Sequence, residues 1–166
     1  MYLAGNIIMF IASCLMILSG LPKNKKTCAV LQTVQIFGMA AGNLCLGSFP
    51  GFFVNCCSGI RNILESNNKL TTLWKILVIV VSSIISIMFN NIGFIVICPL
   101  ISLVIFTLFM DTKNVVVFKL LVITTSILWG IHDATIASYV ALAFDALSIV
   151  TNIIGIFLVK KGKSKK

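Results

Sequence analysis

"SILWGIHDATIASYVALAFDALSIV", residues 126–150, is the stretch on which the fold turns. It reads as two apolar segments joined by a short turn. Yet it carries Asp133 and Asp145, half of the four acidic residues in the chain. The composition sets the context: 59% of the 166 residues are hydrophobic, 10% are charged, and mean hydropathy is +1.11. A soluble domain needs roughly 25–35% charged surface. This chain cannot supply it, so the class is integral membrane protein, all-α.

Apolar runs of about 17–25 residues suit a membrane helix. Seven such spans are expected, near 2–21, 27–47, 50–66, 72–90, 92–110, 115–132 and 137–159. They must be helical, because lipid satisfies no backbone N–H or C=O group. Strand alternation of the barrel type is absent from the sequence. The first span lacks a basic leader and a small-residue cleavage site, and is read as a retained helix.

Charge gives the orientation. Lys23, Lys25 and Lys26 fall between spans one and two, and Lys69 between three and four, flanked by Arg61 and Lys75. Lys113 and Lys119 lie around the five–six link, and Lys160, Lys161, Lys163, Lys165 and Lys166 end the chain. A seven-span arrangement puts every one of these on the same side. The positive-inside rule then places the N-terminus outside and the C-terminus inside. The tail "KKGKSKK" reads as a topology anchor on anionic lipid rather than a nucleic-acid contact. The six cysteines have no C-x-x-C spacing and read as small apolar fillers, with no metal or other cofactor expected.

Sliding the chain by 90 residues aligns it with itself. "LPKNKKT" meets "DTKNVVV", and "CSGIRNI" meets "LSIVTNI". Lys23 and Asn24 thus match Lys113 and Asn114, and Ser58 and Asn62 match Ser148 and Asn152. Spans one to three then correspond to spans five to seven. Three helices reverse the chain and span four restores it, so the expected fold is a parallel 3+1+3 repeat. The expected division is 1–66 for the first repeat, 67–91 for the linker helix, 92–160 for the second repeat and 161–166 for a basic cytoplasmic tail.

The repeat gives the aspartates partners. Asp133 matches Asn43, and Asp145 matches Asn55. On span seven, Ser138, Ala141, Asp145, Ser148 and Asn152 recur at steps of three and four, on one face. Ser48, Gly51, Asn55, Ser58 and Asn62 do the same on span three. Gln32, Gln35, Met39 and Asn43 make a face of span two, and Thr125 or Ser126, Trp129 and Asp133 one of span six. A carboxylate at mid-bilayer costs about 2.5–3.5 kcal/mol or more. It will avoid lipid, so facing stripes predict a polar lining between the repeats. The lining candidates are Asn55, Asp145, Trp129, Asp133, Asn43, Ser58 and Ser148. Arg61 and Glu65, four apart near the end of span three, are expected to pair and close the cytoplasmic mouth as a gate.

The layout resembles the SWEET/SemiSWEET (MtN3-like) transporter fold. "LQTVQIFGMAAGNLCLGSFPGFFVNCCSGIRNIL", residues 31–64, is similar to the bacterial YgjV-type inner-membrane family, through Gln32, Gly47, Gly51, Asn55, Arg61 and Asn62. "SILWGIHD" also resembles part of the PnuC vitamin-precursor transporter motif, keeping Trp129 and Asp133. The SWEET resemblance implies a solute site at Asn55, Asp145 and Trp129. The expected function is a small-solute transporter in the plasma or inner membrane, multi-pass, taking a sugar, nucleoside or vitamin-precursor-like solute. Its partners are that solute and the lipid bilayer, with no nucleic acid; a homodimer is left open. The alternative is a non-transporting membrane protein, a sensor or assembly partner, whose polar stripes fix helix packing. An enzyme is not expected: no catalytic set of His, Cys, Ser and acidic residues converges in the sequence.

Overall fold

The computed structural model describes residues 2–45, 49–88, 97–135 and 139–163. These residues form seven helices and no strand: α1 (Tyr2–Ser19), α2 (Lys25–Cys45), α3 (Phe49–Ser66), α4 (Thr72–Met88), α5 (Ile97–Phe109), α6 (Val115–Thr135) and α7 (Tyr139–Lys163). Among them α2, α6 and α7 contain stretches long and apolar enough to cross a membrane, and α1, α4 and α5 are shorter apolar helices.

Local chemistry sets the helix ends. Pro22 stands in the α1–α2 link, where its missing N–H breaks no helical bond. Asn24 caps α2, its Oδ1 accepting from the Lys26 amide at 3.0 Å. Asn114 caps α6 in the same way, accepting from the Val116 amide at 2.9 Å. Both caps also accept a backbone bond, from Cys28 to Asn24 and from Phe118 to Asn114. The matched asparagines of the sequence are therefore matched helix starts. The two helices they open run 25–45 and 115–135, and so have the same length 90 residues apart. α3 ends on Asn68 at φ 56°, with Lys69 N bonding Leu64 O and Asn68 N bonding Glu65 O. That is a Schellman closure, with asparagine in the left-handed position usually held by glycine.

Each helix packs on the next along the chain, and α7 returns to pack on α1, closing a ring. Close approach is made by small residues. A Cβ at Gly38 would stand 2.9 Å from Ala12 Cβ, and one at Gly59 would run into the Phe37 ring of α2. At the α1–α7 seam a Cβ on Gly155 would strike the Gly20 carbonyl. One apolar cluster spans the ring where α2, α5 and α6 meet: Cys28, Ala29, Phe106, Met110, Phe118 and Val122. Phe106 and Phe118 meet edge to face at 5.8 Å.

Burial is inverted relative to a soluble protein. Leu3, Leu73, Met88 and Phe157 are each at least 68% exposed, while Arg61, Asn62, Lys119, Ser148 and Asn152 are at most 4% exposed. The exterior is apolar and the interior mixes polar groups with the Phe106–Phe118 cluster, as expected where lipid disfavours exposed polar side chains.

Candidate functional site

Most of the buried polar groups fall into an α6–α7 set and an α3–α5 set, while Ser19, Gln32 and Ser82 are buried singly on α1, α2 and α4. On α7, Asp145 (7% exposed), Ser148 and Asn152 are buried at steps of three and four. Their neighbours Ala146, Leu147, Ile153 and Ile154 are exposed. The expected stripe thus points inward. Ser148 Oγ lies 3.5 Å from Ser126 Oγ on α6, and Asn152 Nδ2 donates to Ser148 O at 2.9 Å. His132 is buried on α6 and meets the edge of the Trp129 ring at 5.6 Å. Trp129 itself is 39% exposed, the most open of the expected lining residues whose burial is described. Gly47, Ser48, Ser138 and the Asp133 side chain lie outside the described residues, and Gly51 is placed in α3 without a described environment.

On α3 the buried residues sit nearer the helix end than the stripe predicts. Asn55 and Ser58 are half-buried, as is Asn43 on α2. Gly59, Arg61 and Asn62 are buried. Arg61 does not pair with Glu65. Its Nε and Nη2 donate to Asn62 Oδ1 at 3.2 and 3.0 Å, and its Nη1 donates to Thr107 Oγ1 on α5 at 3.1 Å. The guanidinium also lies over the Phe106 ring, 4.8 Å from its centroid. Glu65 bonds Lys25 instead. The reason is geometric: the face of α3 that carries Arg61 looks at α5, and the end of α3 that carries Glu65 meets the start of α2. Thr107 gave no sequence signal, being one hydroxyl in an apolar run.

The charged groups gather at one end of the bundle. Lys25 joins Glu65, tying the start of α2 to the end of α3, and its Nζ stands 5.5 Å from the Phe118 ring centroid. Lys75 joins Asp111 at 2.8 Å and donates to Leu108 O at 3.0 Å, tying α4 to the end of α5. That bond holds the Asp111 carboxyl below its ordinary pKa, against a smaller opposing effect of burial. A cleft of about 140 Å³ opens here, lined by Lys25, Lys26, Ala29, Glu65, Ser66 and Asn68.

Lys119 is the residue that sequence spacing placed least well. Expected just inside the helix end, it is fully buried. Its Nζ donates to Gly20 O and reaches Cys28 Sγ at 3.6 Å. Gly155 leaves the room, since a Cβ there would lie 2.7 Å from Nζ. The cation is thus held by neutral acceptors at the seam between α1 and α7.

No curated protein and no solved structure matches the chain, so the resemblance to SWEET and PnuC transporters stands on the residue pattern alone. A family match does exist. It runs over residues 3–163, covering all seven helices, and its description, bacterial inner membrane protein, fits the apolar exterior. The chain therefore belongs to the Imp-YgjV family of bacterial inner membrane proteins.

Proposed function

We propose that the protein is a transporter or facilitator for a small polar solute, such as a sugar, nucleoside or vitamin precursor, and not an enzyme. The solute site lies between two three-helix repeats, α1–α3 and α5–α7, with α4 as linker. The N-terminus is outside and the C-terminus inside, so the lysine-rich end faces the cytoplasm. Alternating access would come from one repeat rocking against the other.

The observation that carries this reading is paired burial. Asn62 and Asn152, 90 residues apart, are each 1% exposed. They sit in a membrane protein where a polar group without a protein partner is expensive. Asp145 and Ser148 extend the same face on α7. Asn55, Ser58, Asn43, Asp133 and Trp129 complete the assigned lining. Arg61 and Glu65 act as gate groups at the inner end through their separate partners, Thr107 and Lys25. The matched caps Asn24 and Asn114 support the repeat.

The test is thermal unfolding of detergent-purified protein with sugars, nucleosides and vitamin precursors, on wild type and Asp145→Ala in parallel. A native-state ligand at 100 times its Kd adds about 2.7 kcal/mol. The reading expects one solute class to raise the wild-type Tm and leave the variant unmoved. No response to any compound would overturn it. One observation favours the packing alternative: the Ser126–Ser148 contact joins two helices directly. On that reading Asp145→Ala lowers Tm and no solute responds.

A further inference from the structure

We propose that Arg61 and Asn62, braced by Thr107, form an oxyanion-binding site at the lysine-rich end of the bundle, for a phosphate or carboxylate group. The site lies on α3 and α5, apart from the Asp145 face of α7; it reuses Asn62 and Arg61 of the transport reading, but its test reads anion binding and not transport.

The first observation is a charge without a counter-charge. Arg61 is 4% exposed, and its hydrogen-bond acceptors are an amide oxygen and a hydroxyl. The chain has four acidic residues. Two of them, Glu65 and Asp111, are bonded to Lys25 and Lys75. Among the described residues no carboxylate is within ion-pair distance of Arg61. A buried cation is normally paired, because desolvation otherwise costs several kcal/mol.

The second observation is independent. Asn62 Nδ2 is buried and, among the described residues, has no hydrogen-bond partner. The amide is oriented by Arg61, which takes Oδ1 from two nitrogens. Because Oδ1 and Nδ2 share one carbon, the unpartnered N–H groups belong to the same cluster as the guanidinium. The three bonds made by Arg61 also leave one N–H unused on each terminal nitrogen. The cluster therefore offers unused donors and a positive charge, with no carboxylate among the described residues to take them. That pattern selects a group that only accepts, and guanidinium geometry suits the paired oxygens of phosphate or carboxylate. The face of the Phe106 ring holds the guanidinium from the side. A free solute and a lipid headgroup present the same oxyanion chemistry to the guanidinium.

The experiment uses full-length purified protein and reads Tm. One arm titrates inorganic phosphate, or acetate, against chloride at equal ionic strength, in detergent. The other compares nanodiscs of phosphatidylglycerol with nanodiscs of phosphatidylcholine. Wild type is expected to show a saturable rise with a free oxyanion or with the anionic lipid, and the responding arm names the source. Asn62→Asp places a carboxylate oxygen where Nδ2 stands, filling the site from within. It is expected to melt above wild type without anion and to lose the response. Arg61→Met is expected to lose the response as well. Should that variant not fold, the near-isosteric Asn62→Asp still decides. No wild-type response in either arm, or a response that either variant keeps, overturns the proposal.

Discussion

Arg61 and Lys119 show what a single residue can and cannot reveal. Both are cations near helix ends in the sequence, where snorkelling to water is the ordinary reading. In the folded chain both are buried, and each crosses between elements, Arg61 to Thr107 and Lys119 to Gly20. Lys119 and its acceptor are 99 residues apart, beyond any helical spacing. The inward turn of Asp145, Ser148 and Asn152 was legible, because a period of three and four is a property of one helix. The space that admits Lys119 comes from Gly155, so Gly155→Ala should be strongly destabilising, by about 1–3 kcal/mol as for other overpacked sites. Gly130→Ala, whose Cβ meets only Leu142 Cδ1, at 3.4 Å, among the described residues, should lower Tm less; the two melts compared side by side check this. Asp111 gives a pH prediction. Its pKa is depressed on folding, so its contribution is present above the unfolded value of about 3.9 and fades as pH falls through the folded one. Its side chain is 56% exposed, so the pair is worth at most about 1 kcal/mol. Asp111→Asn should therefore change Tm little at pH 7, and the gap to wild type should close below about pH 4.

At the scale of elements, the sequence reading came close because each helix is bounded by residues with their own chemistry. α2 begins at Lys25 rather than 27, since Asn24 already caps it. α7 runs to Lys163 rather than 159, because lysines prolong a helix and suit its C-terminal dipole. The end of α3 was harder. Asn68 does the work of a C-cap glycine, and nothing in "ESNNKL" distinguishes it from Asn67. The caps make a paired prediction. Asn24→Ala and Asn114→Ala should each lower stability by about 0.5–2 kcal/mol, and by similar amounts, in parallel unfolding melts. A large loss at one cap and none at the other would mean that the matched asparagines do not play matched roles.

For the whole molecule, the closed ring puts the ends of α1, α3 and α5 and the starts of α2, α4 and α6 around one lysine-rich rim. A bilayer should hold that rim on the cytoplasmic side. A C-terminal fluorescent-protein fusion should therefore glow, and a C-terminal alkaline phosphatase fusion should be inactive; the reverse pair would invert the assigned orientation. Packing between distant helices was the least legible layer, since it depends on which small residues face each other across the seams. The central claim is that the buried polar face carries a solute across the membrane. Counterflow uptake into proteoliposomes tests it most directly, with labelled sugars, nucleosides and vitamin precursors offered to wild type and Asp145→Asn. The account predicts accumulation of one solute class by wild type and its loss in the variant. Folded wild type that accumulates none of them, or Asp145→Asn that transports normally, would contradict it.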